Sequence, residues 1–265
     1  DYMWTGMDYL GEANWPQRSA GCGCLDTCGF EKDAFYFYKS VWNQNEKFAY
    51  LCPHWNLKLE KGTVLPVICY TNCEDAELFV NGRSFGMKSK GFPCYGMTER
   101  YGHFDRYRRP ANTDDLFLSW DVPYEPGKIE VVGYHDGKEV CRYKVETTGE
   151  AASIKLTVDK TSVDADGRSI VQAEVRIVDS EGRLVFNACP ELDFTLEGDA
   201  KIIGIDNGDP ACHEQWKETK GRHAFNGMAY AVIRAGQNKG ELTLTVQASG
   251  VDAAIGKASV TISQK

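Results

Sequence analysis

The sequence predicts a mainly β protein: two antiparallel β-sandwiches that follow a short N-terminal segment containing one helix. Three observations lead to this prediction. After residue 45 the apolar residues alternate with a period of two, which is typical of strands that bury one face. Strand-like runs recur at intervals of about 8–12 residues, as in all-β sandwiches. Asn81-Gly82 and Asp136-Gly137 separate such runs, and both dipeptides favour two-residue hairpin turns.

Residues 1–45 form the first predicted region, and their pattern differs from the rest of the chain. Gly- and Pro-containing turns dominate its first part, and Glu31–Trp42 is predicted to be a helix because Phe35, Tyr38 and Trp42 recur on one helical face. A loop and one amphipathic helix cannot enclose a core of their own. We therefore expect this region to pack against other parts of a protein.

Residues 46–148 form the predicted first sandwich. A long connection, Lys88–Asn112, interrupts it, and connections of more than about 12–15 residues usually have a functional reason. The predicted strands are Val64–Thr71, Asp75–Asn81, Arg83–Met87, Leu116–Val122, Lys128–Tyr134 and Lys138–Thr147.

Residues 149–265 form the predicted second sandwich, which begins after the small, polar joint Thr148–Ala152. Alternation is clearest in Ile170–Val178, where one face is polar and the other can enter a core. The predicted strands are Ser153–Val158, Ser169–Asp179, Leu192–Leu196, Ala200–Asp206, His223–Arg234, Glu241–Ala248 and Ala253–Ser263.

Composition excludes several classes of partner. Of 265 residues, 42% are hydrophobic and 26% charged, and the formal net charge is −8. A surface with this balance repels phosphate backbones, so nucleic acid is not expected as a partner. No apolar run approaches the ~20 residues that a membrane-spanning helix needs. The chain starts at Asp1 without an initiator Met, and we expect it to be a piece of a longer protein.

The sequence offers little evidence for a metal or cofactor. Cys22, Cys24 and Cys28 are closely spaced, but a structural zinc site needs a fourth ligand and usually a matching second pair. We favour small buried side chains for these thiols. Asp206–Pro210 lacks the later glutamate of a calcium loop, so a turn held by Asx side chains is the preferred interpretation. No nucleotide-binding loop, zinc-protease motif or nucleophile elbow is present, and no metal or cofactor is expected.

The loop Lys88–Asn112 is a candidate carbohydrate-contacting rim. It interleaves arginines with Tyr95, Tyr101 and Tyr107. Aromatic faces can stack on the C–H faces of sugars, and guanidinium groups can donate hydrogen bonds to hydroxyls. A surface loop packed by its own aromatic side chains explains the same pattern, and the sequence leaves both interpretations open.

Ten motifs follow one another along nearly the whole chain: Met3–Glu12, Cys24–Asp33, Phe35–Trp42, His54–Asn56, Tyr70–Cys73, Glu77–Gly82, Trp120–Gly127, Ala165–Gly167, Asp206–Pro210 and Ala224–Gly227. In this order they resemble glycoside hydrolase family 2, the group of β-galactosidases and β-glucuronidases. The first motif resembles the last strand and following loop of that family's (β/α)8 catalytic barrel, and the next two resemble the end of the same barrel. The later motifs resemble its two accessory sandwiches, the second of which is immunoglobulin-like.

The resemblance implies that residues 1–45 are the end of a TIM barrel and that the parent protein is a retaining glycosidase. Such enzymes need two carboxyl groups about 5–5.5 Å apart. In this family both are glutamates on barrel strands that would precede Asp1, so we expect no catalytic residue and no glycosidase activity in this chain alone. The resemblance implies a substrate-binding role in the parent for Trp4, beneath the sugar, and for Asp8, as a lining or buttressing residue. Ordinary packing within the barrel is the open alternative for Trp4, and the structural role is the preferred one for Asp8.

The resemblance also implies partners: carbohydrate, through the parent enzyme, and the remainder of the barrel. It favours a periplasmic or secreted location, and it leaves homo-oligomerisation open. Two other functions stay open from sequence alone. One is a carbohydrate-binding module that acts through exposed aromatic side chains, and the other is a cell-surface adhesion domain.

Overall fold

The computed structural model describes residues 3–43, 45–89 and 116–265, and it is mainly β, as the sequence predicts. Its helix α1 is Asp33–Trp42, and a 3₁₀ helix covers Gly250–Ile255. No helix among the described residues is long and apolar enough to cross a membrane. The strands are β1 Tyr9–Leu10, β2 Ser19–Ala20, β3 Ala49–Cys52, β4 Val64–Thr71, β5 Asp75–Val80, β6 Arg83–Ser89, β7 Leu118–Pro123, β8 Lys128–His135, β9 Lys138–Glu146, β10 Ser153–Val158, β11 Ser162–Val163, β12 Ile170–Val178, β13 Glu191–Glu197, β14 Ala200–Asp206, β15 Gly221–His223, β16 Met228–Ala235, β17 Gly240–Ala248 and β18 Lys257–Gln264.

The chain divides into two compact units. One contains the residues up to Glu31 together with Thr148–Lys265, and the other is Lys32–Thr147.

The Lys32–Thr147 unit contains two antiparallel sheets that share one core. Their strand orders are β3-β4-β7 and β6-β5-β8-β9. Inward-facing residues of both sheets, such as Val67, Leu78 and Val131, are fully buried together with Trp55. Both predicted hairpins are confirmed, because Asn81-Gly82 and Asp136-Gly137 adopt the positive φ angles that such turns require.

Helix α1 is confirmed, although it begins two residues later than the sequence predicts. It contacts β3 and β4 of its own unit. The Tyr36 and Tyr50 rings stack with their centroids 3.7 Å apart, and Phe37 meets Tyr70 edge-on. Trp42, which was expected on a packing face, is 63% exposed.

The other unit also contains two sheets around a common core. Their strand orders are β10-β12-β16-β14 and β11-β18-β17-β13-β15. All pairs are antiparallel except the short β11, which runs parallel to β18. The core interleaves small residues such as Ala173 and Ala231 with larger ones such as Phe194 and Leu244. This alternation of sizes allows two facing sheets to pack closely.

Two strand predictions for this unit are wrong in detail. His223–Arg234 is not one strand, because Asn226-Gly227 turns the chain at positive φ between β15 and β16. Ala253–Ser263 is not all strand either, because the 3₁₀ helix occupies its first part and the strand begins at Lys257.

Candidate functional site

The N-terminal segment, residues 3–31, presents an exposed aromatic group beside a carboxylate. The Trp4 side chain is 76% exposed. Its indole N–H donates to the Tyr9 hydroxyl at 2.9 Å, and that hydroxyl in turn donates a short hydrogen bond to the Glu12 carboxylate. The bond to Glu12 is the main reason that the pKa of Tyr9 is raised. An exposed indole face next to hydroxyl and carboxylate groups is suited to contacting a sugar.

Asp8, the second residue that the sequence singled out, is buried and supports the neighbouring loop. Its carboxylate accepts the Gly23 N–H at 2.8 Å, and its own N–H donates to the Leu25 carbonyl at 2.9 Å. A Cβ at Gly23 would lie 2.4 Å from the Asp8 nitrogen, so only glycine fits there. Asp8 therefore fixes the path of residues 23–25 beside the segment that carries Trp4.

Asp26 ties the same segment to the loop that follows β14. Its carboxylate accepts the N–H groups of Cys28 and Phe30 at 2.8 and 2.9 Å. A Cβ at Gly208 would lie 2.0 Å from an Asp26 carboxylate oxygen, which explains the close approach of the two loops. Burial raises the pKa of Asp26, the two N–H donors oppose that rise, and the charges of Asp8 and Asp206 add to it.

Two arginines share the Asp206 carboxylate. Arg18 donates to both of its oxygens at 2.7 and 2.9 Å, and an Arg222 Nη atom lies 2.9 Å away. The Arg222 side chain is 0% exposed. Arg222 also donates to the Glu214 carbonyl at 3.0 Å, and the Arg18 N–H donates to the Pro210 carbonyl at 2.7 Å.

Asp8, Asp26 and Asp206 each accept backbone N–H or guanidinium donors. The charges of Asp8 and Asp206 both raise the pKa of Asp26. These three carboxylates therefore hold the loops of this unit together.

Trp15 is a second exposed aromatic residue that sequence reasoning did not select. Its side chain is 82% exposed, and its ring stacks on His213 with centroids 4.7 Å apart. The His213 Nε2 lies 2.6 Å from the Pro16 carbonyl oxygen. The partners are 198 residues apart (213 − 15 = 198), so no local sequence signal connects them.

The structure also describes the two motifs that were compared with metal sites, the Asp206–Pro210 loop and the cysteine cluster at residues 22–28. Asn207 and Asp209 side chains accept backbone N–H groups two residues ahead, which are the Asx turns predicted for this loop. Among the three clustered cysteines, Cys24 is buried and Cys28 is partly buried, but Cys22 is exposed, so the expectation of small buried side chains is wrong for Cys22. Burial is the main cause of the raised pKa of Cys28.

Within the described ranges, one group of three side chains has ligand atoms within 4.8 Å of one another: Glu74, His135 and Asp136. Glu74 accepts the Asp136 N–H at 3.0 Å and lies 3.1 Å from His135 Nδ1. This is the β8–β9 hairpin turn packing against the start of β5. The candidate rim residues Tyr95, Tyr101 and Tyr107 lie outside the described residues.

Comparison with known proteins finds the same family by sequence and by structure. Residues 154–256 match the model for glycoside hydrolase family 2 C-terminal domain 5, and residues 62–141 match a domain of unknown function, DUF4982. The β-galactosidase BoGH2A of Bacteroides ovatus is 35% identical over 97% of this chain and 28% of that protein. A putative β-glucuronidase of Formosa agariphila is 32% identical over 88% of this chain and 21% of that protein.

Solved structures agree. A β-glycosidase from Bacteroides vulgatus matches 98% of this chain and 30% of its own, with a TM-score of 0.80 and 32% identity. A glycosyl hydrolase family 2 member from Bacteroides cellulosilyticus matches 99% of this chain and 35% of its own, with a TM-score of 0.85 and 27% identity. The chain thus spans about a third or less of the length of these relatives. It belongs to glycoside hydrolase family 2 and carries that family's C-terminal domain 5.

Proposed function

We propose that this chain is the C-terminal part of a β-galactosidase-like enzyme that hydrolyses β-glycosidic bonds with retention of configuration. The observation that carries this proposal is the match of almost the entire chain to a β-galactosidase at 35% identity. Within the parent, residues 1–45 would be the end of the catalytic barrel, 46–148 an accessory sandwich, and 149–265 an immunoglobulin-like sandwich. These sandwiches would brace the barrel and shape its entrance.

The exposure of Trp4 supports this assignment. Its side chain is 76% exposed and lies beside the Tyr9 hydroxyl, which in turn contacts the Glu12 carboxylate. In the proposed parent, the Trp4 ring would lie under the sugar. Asp8 would act as a positioning residue, because its buried carboxylate accepts the Gly23 N–H and so holds the neighbouring loop.

The proposal makes the chain inactive by itself. Retention needs an acid/base and a nucleophile about 5–5.5 Å apart, and the carboxylates of Asp8, Asp26 and Asp206 accept backbone or guanidinium donors instead. We expect no hydrolysis of nitrophenyl β-galactoside or nitrophenyl β-glucuronide above a boiled control. Turnover by the isolated chain would contradict the proposal that this chain lacks the catalytic residues of the parent.

A chimera tests the proposal directly. The aligned C-terminal region of the Bacteroides ovatus β-galactosidase would be replaced by this chain, and the fused enzyme assayed with both nitrophenyl glycosides. We expect a folded chimera to be active and Trp4→Ala to lower kcat/KM at least tenfold, which corresponds to about 1.4 kcal/mol of transition-state binding.

Trp15→Ala is the matched control, because Trp15 is equally exposed and lies in the same segment. We expect this variant to keep at least half of the activity. A folded but inactive chimera would overturn the proposed function, and an equal loss in both variants would overturn the proposed role of Trp4.

A further inference from the structure

Two cysteines of the Lys32–Thr147 unit bring their sulfur atoms together over a glycine. The Sγ atoms of Cys73 and Cys141 are 3.5 Å apart. A Cβ at Gly133 would lie 2.6 Å from each of them. Any side chain at position 133 would therefore occupy the space in which the two sulfurs meet.

The strand geometry directs both side chains to this position. Cys141 lies on the edge strand β9, opposite Gly133 of β8, and Cys73 lies two residues before β5, which pairs with the other side of β8. The register of β8 and β9 shifts between Gly133 and Tyr134. A bulge of this kind bends the strand and redirects a neighbouring side chain.

The two thiols also differ in exposure and in chemistry. Cys73 is buried, whereas Cys141 is partly exposed. The hydrogen bond from the Cys141 thiol lowers the pKa of Cys73, burial opposes this, and Thr71 and the positive charge of Lys47 add to the lowering. The same bond raises the pKa of Cys141. The pair thus holds one thiolate-prone sulfur and one sulfur that solvent can reach.

We propose that Cys73 and Cys141 form a redox-active dithiol that small disulfides oxidise to an intramolecular disulfide. In the first exchange, the Cys141 proton passes across the 3.5 Å contact to the Cys73 thiolate, the Cys141 sulfur attacks an external disulfide, a mixed disulfide forms, and one small thiol leaves with the proton from Cys73. In the second, the Cys73 thiolate attacks the Cys141 sulfur and the second small thiol leaves. The protein loses two electrons and two protons, and the external disulfide is reduced to two thiols. The new bond would staple the edge strand β9 to the start of β5 across β8.

This inference does not depend on the proposed glycosidase function, and it can be tested on the whole chain. The protein would be incubated with excess oxidised glutathione, quenched with acid, alkylated, digested and analysed by mass spectrometry. We expect a linked Cys73–Cys141 peptide pair in most molecules, and its loss after treatment with dithiothreitol.

Three variants separate this pair from general oxidation. Cys212→Ser removes a partly exposed thiol of the other unit and should leave the link intact. Cys141→Ser should abolish it. Gly133→Ala would push the sulfurs apart and should slow link formation at least tenfold, provided that circular dichroism shows a native fold; if it does not, Cys141→Ser alone decides. Recovery of Cys73 and Cys141 from natively folded protein as separate glutathione adducts or as alkylated thiols would overturn the proposal.

Discussion

The first prediction concerns the Asp206 carboxylate, because Arg18 and Arg222 both form ion pairs with it. Asp206→Asn keeps the size of the side chain but removes its charge. The Arg222 guanidinium is then left fully buried with the Glu214 carbonyl and Asn207 as its remaining partners. Removing one partner of a buried ion pair costs about 3–5 kcal/mol. Asp206 is 23% exposed, so we expect the lower end of this range, about 3 kcal/mol.

Thermal unfolding of the whole chain measures this cost. For a unit of this size, 1 kcal/mol shifts Tm by about 2–4 °C, so we expect Asp206→Asn to lower the transition of its unit by about 6–12 °C. Glu181→Gln is the matched control, because Glu181 forms a 3.1 Å ion pair with Arg183 but is 68% exposed. An exposed pair contributes about 0–1 kcal/mol.

A double variant tests the physical reason. If the cost comes from an unpaired buried guanidinium, adding Arg222→Met to Asp206→Asn should recover part of the loss, so the two changes will not be additive. The reasoning fails if Asp206→Asn and Glu181→Gln lower Tm equally, or if the double variant loses the sum of the single losses.

Two further predictions address the loops and the pH dependence of the same unit. Gly23→Ala should cost about 1–3 kcal/mol of unfolding free energy by crowding the Asp8 backbone, whereas Gly21→Ala, with open space at its Cβ, should change it by less than about 0.5 kcal/mol in urea unfolding. Burial opposes ionisation of Asp179, but the Arg183 and Gly149 donors prevail and hold its pKa well below the usual value. The ionised Asp179 therefore stabilises the folded unit at pH values above its unfolded-state pKa of about 4, and this stabilisation is lost as pH falls further. Asp179→Asn should flatten the dependence of Tm on pH below pH ~4. An unchanged slope would contradict this assignment.

The sequence predicted those parts of the fold that local chemistry determines. Asn81-Gly82 and Asp136-Gly137 specify their hairpins because only residues that tolerate positive φ can occupy such turns. The same chemistry is present at Asn226-Gly227, but the predicted strand His223–Arg234 ran through it without a turn. Ala49–Cys52 was missed because four residues carry too little periodicity to separate a strand from a loop.

The candidate site was less predictable, because its contacts join distant parts of the chain. The family resemblance singled out Trp4 and Asp8, but only the structure distinguishes an exposed indole from a buried, loop-supporting carboxylate. The Arg18–Asp206 pair spans 188 residues, and such a pair has no local signature. Neither residue type nor spacing indicates that the Arg222 side chain is fully buried, since arginine is usually a surface residue.

The N-terminal segment has too little apolar surface of its own to fix its conformation. It contains two strands of two residues each, and its buried apolar residues are Ala20, Cys24 and Phe30. Polar contacts with the loop after β14 supply what a core would otherwise provide: Arg18 binds Asp206 and the Pro210 carbonyl. Because hydrogen bonds are directional and burial is not, such contacts fix the path of an irregular chain more narrowly than an apolar patch could. The conformation of the segment that carries Trp4 therefore depends on the second sandwich, which is remote from it in sequence. In the proposed parent enzyme, changes in that sandwich can alter the position of Trp4 and so its contact with a sugar.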